Sequence, residues 1–284
     1  MIRRGVIYCA TSKIAYLEAA LISAMALRQQ EPALPITLLS DHPFLTHLPL
    51  QDYGITPRLL DRHEVDQQAF SSRSIKTRLN AYSPYQETLF LDADILPLQP
   101  VADLWADLNE SDLAMVVDRL PMVSLCDHIA QEEKAYTLQR LPGNTVQFNS
   151  GVILWRDSLA TQALFQQWHK EWQQFQKHDQ LALIRAIKAV QIPVMKLPMT
   201  YNISPMDAAP LMGTDNGVHL LHCWGGMVAS GAYRQFAKQY YPLVVETVAQ
   251  FFADDHFEDL AMSNQALSYT KALLQRQTGE PIEI

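Results

Sequence analysis

The strongest chemical signal in this sequence is a pair of acids separated by one small residue, Asp92-Ala93-Asp94, which interrupts the apolar run LFLDADILPL. Two carboxylates this close repel each other unless a cation offsets them. In an extended segment, residues two apart project to one side, so Asp92 and Asp94 can approach one ligand together while Ala93 keeps the backbone uncrowded. Hard oxygen ligands suit Mg2+ or Mn2+, whose coordination is usually completed by substrate phosphate oxygens. The plain alternative is a pair of solvated or capping acids at a strand end.

A third ligand candidate is His222, near the end of a second apolar run, VHLLHCW. A lone histidine is usually not a ligand, but a strand-end position like that of the two acids makes metal ligation the stronger reading. An imidazole in the shell favours Mn2+ over Mg2+. Gly225, three residues on, lets the backbone come close to a ligand.

These groups need a scaffold that brings strand ends together. Apolar runs predict strands over residues 4–9, 36–39, 55–60, 87–98, 113–117, 192–196 and 218–224. Residues 146–155, VQFNSGVILW, read as strand, turn and strand, with Gly151 at the turn. Helices are predicted over 14–30, 74–82, 160–175, 180–189 and about 232–277, the last with Phe236, Tyr240, Val244 and Val248 on one face. Strands alternating with helices predict an α/β fold, an open sheet with helices on both faces that binds ligands beyond the carboxyl ends of its strands.

Composition narrows the function classes. The chain has 284 residues, 48% hydrophobic and 18% charged, enough apolar material for a sizeable core. A net charge of −8, with no basic run, argues against a nucleic-acid partner. Cys9, Cys126 and Cys223 are widely spaced and odd in number, so neither a disulfide framework nor a zinc knuckle is indicated. No apolar stretch is long enough for a transmembrane helix, and the amino terminus lacks a signal peptide's hydrophobic region. A cytoplasmic protein is the expectation.

Taken in order, CATS with Tyr16, LFLDADILPL, QFNSGVILW, HDQ and HCWG make the chain resemble glycosyltransferase family 8, over roughly residues 6–226. That resemblance implies the GT-A fold, an open, mainly parallel, twisted sheet. It also implies a catalytic domain at residues 1–230, with 231–284 as a helical extension packed on it. The implied reaction is transfer of a hexose from a UDP-sugar donor to an acceptor hydroxyl, with retention at the anomeric carbon, in the presence of Mn2+ or Mg2+.

By the same resemblance, Ala10, Thr11, Ser12 and Tyr16 hold the uracil, although Tyr16 is equally placed to be a core-facing helix residue. Lys76 or Arg78, with Arg78 preferred, helps bind the donor sugar or phosphates, and Asn149, Ser150 and Gly151 contact sugar hydroxyls. Asp179 and Gln180 lie under the anomeric carbon, with Asp179 also placed to cap the helix that follows. Asp92 and Ala93 contact the donor, while Asp92, Asp94 and His222 hold the metal.

One position departs from the pattern. The lysine expected three residues after the glycine of the HxxG motif is Val228, so Lys76, Arg234 or Lys238 supplies that charge, or donor binding is weaker or different. Two competing functions follow: a noncatalytic nucleotide-sugar or carbohydrate-binding protein, and a sugar nucleotidyltransferase, against which the absence of an amino-terminal Gly-rich basic loop argues. The acceptor is unidentified. Residues 120–141 and 236–274 are expected to shape its pocket or a homodimer contact.

Overall fold

In the computed structural model, which describes residues 2–61, 71–212 and 217–252, the chain opens as β1 (Ile2–Ala10), α1 (Ile14–Gln30), β2 (Ile36–Ser40) and β3 (Ile55–Leu59). There follow α2 (Ser71–Lys76), α3 (Leu79–Tyr82), β4 (Tyr85–Asp92), β5 (Ile95–Pro97), β6 (Leu113–Met122), α4 (Gln131–Leu138) and β7 (Val146–Arg156). The remaining elements are α5 (Leu159–Trp172), α6 (Gln180–Val190), β8 (Met195–Leu197), α7 (Pro205–Ala208), β9 (Leu220–His222), α8 (Ala232–Tyr240) and α9 (Pro242–Phe251).

Seven strands form one sheet in the order β3-β2-β1-β4-β7-β6-β8. Only β7 runs antiparallel to its neighbours, so the sheet is mainly parallel, as the alternating pattern predicts. Buried strands alternate their side chains between two apolar layers. Val6, Tyr8, Leu89, Leu91, Val152 and Leu154 face the layer that contains α1, α8 and α9, while Ile7, Phe90, Ile153 and Trp155 face α5 and α6. Helices therefore cover both faces. The Tyr8 hydroxyl, deep in the first layer, is satisfied by the Ser23 hydroxyl on α1 at 3.0 Å.

Three local expectations are corrected, the first two because long-range pairing overrides a local reading. The expected strand over 87–98 is two strands: β4 ends at Asp92, Ala93 and Asp94 form a turn, and β5 pairs with β9 in a separate two-stranded sheet. Extended-strand alternation is thus not what aims Asp92 and Asp94 together. The expected turn at Gly151 is absent, because β7 is unbroken and held by β4 on one edge and β6 on the other. The expected helix over 74–82 breaks at Thr77-Arg78 into α2 and α3, and α3 stops before Pro84, which disfavours helical geometry at Ser83.

The expected carboxy-terminal helix is likewise interrupted, where Pro242 begins a new helix after Tyr241. Phe236, Val244 and Val248 are buried in the α1 layer, and Tyr241 donates its hydroxyl to the Pro97 carbonyl at 2.6 Å. Residues 253–284 lie outside the described residues, as does part of the expected acceptor segment. Among the described residues no helix is long and apolar enough to cross a membrane.

Candidate active site

The site grows from the ends of strands. The register Cys9↔Asp92 sets the carboxyl end of β1 beside the carboxyl end of β4. The antiparallel register Leu91↔Val152 brings Gly151 and Ser150, in the first half of β7, to that same end. The turn at Ala93-Asp94 then leads into β5, where Ile95 pairs with His222 of β9. Two backbone bonds lock this corner: Cys223 N–H to the Asp94 carbonyl and His222 N–H to the Ile203 carbonyl, both 2.8 Å.

This places Asp92, Asp94 and His222 with their ligating atoms all within 4.8 Å of one another. His222 Nε2 lies 3.3 Å from Asp94 Oδ1. Two carboxylates and an imidazole are a donor set suited to Mn2+ or Mg2+.

A cationic side chain already leans on this acidic corner. Lys76 donates to both Asp92 oxygens, at 2.9 and 2.8 Å, and its Nζ is 3.6 Å from Asp179 Oδ2. Burial pulls the lysine down, but Asp92 and Asp179 outweigh it and hold the ammonium above its ordinary value. Asp179 responds in the opposite sense: burial pushes it up, yet Lys76, Arg73 and the Ser150 hydroxyl at 2.7 Å leave it below the ordinary carboxylate value.

The acids of the pair differ. Burial raises Asp92, Lys76 opposes that, and the neighbouring Asp94 adds to the rise, so Asp92 stays above its ordinary value. For Asp94, burial is overcome by His222, which keeps the carboxyl low, and Asp94 in turn lifts His222 against the effect of its burial. Even with Lys76 in place, burial leaves the Asp92 carboxyl above its ordinary value, an effect that a bound divalent cation would oppose.

The other expected residues fall into place unevenly. Asp179 does not cap α6 with its side chain, which is committed to Ser150 and Lys76. Gln180 is buried and donates to Gln147 at 3.3 Å, and Gln147 is itself anchored to the Leu120 carbonyl. Asn149 donates to Asp118 at 3.0 Å and accepts the Gly151 N–H at 2.9 Å. Gly151 serves close approach instead of a turn, since a Cβ there would collide with the His222 imidazole.

At the end of β1, Ala10 and Thr11 are buried, and the Thr11 hydroxyl has no hydrogen-bond partner among the described residues. Ser12 adopts a left-handed backbone (φ 76°) and donates its N–H to Asp41 at 2.9 Å. Tyr16 is half-buried against the core, and its hydroxyl is raised by burial and then by Asp94 and Asp92.

Arg78 turns to the carbonyl and hydroxyl of Ser74, at 3.1 Å each, while Lys76 reaches the acids. Val228 is buried in the core. Of the candidates to replace the missing lysine, Arg234 is paired with Glu18 at 2.5 Å and Lys238 lies 3.9 Å from Glu246, which leaves Lys76 as the one inside the site. Gly225 has a positive φ of 79°, which favours glycine, and a Cβ there would meet no protein atom within 4 Å among the described residues.

Three participants escaped the sequence reading. Arg73 acts electrostatically on Tyr16, Lys76 and Asp179 from the same helix as Lys76. Asp118 holds Asn149, and Asn202 stands between Asn149 and His222. Asn202 lies in irregular chain after Tyr201, where neither periodicity nor motif could single it out.

The family described as nucleotide-diphospho-sugar transferase matches residues 86–233, just over half the chain. No curated protein sequence matches. Among solved structures, the galactosyltransferase LgtC in complex with donor and acceptor sugar analogs is 15% identical with a TM-score of 0.57, covering 90% of this chain and 98% of its own. The glycosyltransferase GlyE of Streptococcus pneumoniae TIGR4 is 15% identical with a TM-score of 0.56, over 87% of this chain and 63% of its own. Mouse xyloside xylosyltransferase 1 is 12% identical with a TM-score of 0.52, over 78% and 98%. At these identities the likeness concerns the fold, which is GT-A.

Proposed function

The chain belongs to the nucleotide-diphospho-sugar transferase family, and from that membership we propose that it moves a hexose from a UDP-sugar to an acceptor hydroxyl, with Mn2+ or Mg2+ held by Asp92, Asp94 and His222. The observation that carries this reading is the meeting of the Asp-x-Asp turn with a histidine from a distant strand, beside a buried lysine. Once bound, the cation offsets negative charge growing on the leaving diphosphate.

The remaining chemistry belongs to the chain's own side chains. Lys76 supplies the ammonium for the diphosphate that Val228 cannot, because its positive charge is already seated against the acids. Asp179, kept ionised by Lys76, Arg73 and Ser150, stabilises positive charge developing on the sugar, and Gln180 is fixed next to it through Gln147. The unpartnered Thr11 hydroxyl, with Ala10, Ser12 and Tyr16, receives the uracil. The reaction retains anomeric configuration, the leaving phosphate accepts the acceptor's proton, and no covalent nucleophile is assigned. Catalysis resides in residues 1–230, with the carboxy-terminal helices packed against it. Cytoplasmic residence accords with three free cysteines.

UDP release from UDP-sugars, with Mn2+ present or chelated, tests this reading. Asp94→Ala should abolish metal-dependent release while the fold persists. Full activity in that variant refutes the assignment. A second reading, a noncatalytic nucleotide-sugar binder, draws on the burial of Val228 where a lysine was expected. Mn2+-dependent UDP binding with no transfer to any acceptor would favour it.

A further inference from the structure

We propose that Asp118, Asn149 and Asn202 form a one-way hydrogen-bond relay that fixes which nitrogen of His222 faces the acids, making Asn202 a positioning residue for metal binding. This rests on the metal reading of the same site.

The relay's direction follows from what each group can donate. Asp118 begins it as an acceptor, taking the Leu120 N–H on Oδ1 at 2.9 Å and the Asn149 amide NH2 on Oδ2 at 3.0 Å. The other end of the Asn149 amide, its oxygen, accepts the Gly151 N–H at 2.9 Å. Turning that amide over would set its oxygen against a carboxylate and its NH2 against a backbone N–H. Asn149 therefore has one orientation.

Its oxygen also accepts from Asn202 Nδ2 at 3.1 Å, which leaves the Asn202 oxygen facing His222 Nδ1 at 2.8 Å. An amide oxygen only accepts, so Nδ1 carries the hydrogen. In the neutral ring the lone pair is then on Nε2, the nitrogen 3.3 Å from Asp94 Oδ1 and grouped with both acids. Ligating histidines generally have the other ring nitrogen held in this way, which sets both tautomer and ring orientation. Here the acceptor is the far end of a chain of amides anchored on a carboxylate and a strand N–H.

The test uses the full chain with UDP and Mn2+, reading affinity from the free Mn2+ EPR signal and ligation from the imidazole nitrogen modulation of bound Mn2+. Wild type should give the nitrogen signal and His222→Ala should lose it. Asn202→Leu should weaken Mn2+ binding by about 10- to 100-fold, whereas Asn202→Asp, which still accepts from Nδ1 but sets its second oxygen against the Asn149 oxygen, should recover only part of that loss. Thermal unfolding identifies folded variants, and Asn202→Ala provides the same readout if leucine prevents folding. A folded Asn202→Leu or Asn202→Ala with wild-type affinity overturns the relay and leaves the metal site standing. Absence of a nitrogen signal from wild type overturns both.

Discussion

Lys76 lays its ammonium 2.8 Å from Asp92 and 3.6 Å from Asp179, so one buried cation joins the acid at the end of β4 to the acid that precedes α6. The same group that steadies the acidic corner competes for the oxygens a metal would use.

Replacing it with methionine should therefore have two opposite effects. Removing one partner of a buried ion pair typically costs 3–5 kcal/mol, and with Asp92 27% exposed the loss for Lys76→Met should be near the lower limit, about 3 kcal/mol. Mn2+ should then raise the melting temperature of Lys76→Met more than that of wild type, since the carboxylates no longer share their charge with an ammonium. Equal Mn2+-induced shifts in the two proteins would contradict competition at Asp92.

Gly151 is the second lever, because its missing side chain leaves room for the His222 ring. In Gly151→Ala the added methyl meets the edge of the imidazole that carries Cε1 and Nδ1, the nitrogen bonded to Asn202, so the ring or the β7 backbone must shift. We expect a loss of about 1–3 kcal/mol from overpacking and a weakened response to Mn2+. Denaturant unfolding and Mn2+ titration would measure both, and an alanine variant with wild-type Mn2+ binding would show that the ring's position is unimportant.

Far from the site, Glu87 accepts from Arg4 at 2.6 Å and lies 3.1 Å from Arg156. Burial raises its carboxyl, but the two arginines outweigh that and hold it below its ordinary value of 4.5. A carboxyl depressed by folding stabilises the protein above its unfolded value and loses that contribution as pH falls through the folded one. Glu87→Gln should thus be less stable at pH 7, by about 1 kcal/mol given the solvent-screened arginines. The gap from wild type should close as pH falls below 4.5. Urea midpoints measured from pH 7 to pH 3 would reveal it, and a gap that does not vary with pH would count against the ion pairs.

Much of the architecture was legible along the chain because its signals are local. Apolar runs such as 4–9, 36–39 and 113–117 must be buried on both faces, and an acidic pair or a histidine at the end of such a run stands out by residue type alone. That was enough to nominate Asp92, Asp94 and His222 before any contact was known.

Tertiary structure alone decided how those residues are aimed. Whether Lys76 or Arg78 reaches the acids depends on where α2 ends, and two residues on one helical turn look alike in sequence. Gly151 proved to be a clearance for a ring because His222 of β9 comes close to β7 there, a proximity that no flanking residue encodes. Asn202 had no signal at all. Periodicity and propensity describe neighbours along the chain, whereas the polarity of a hydrogen-bond relay is set by which distant segments pack together, and only the fold specifies that.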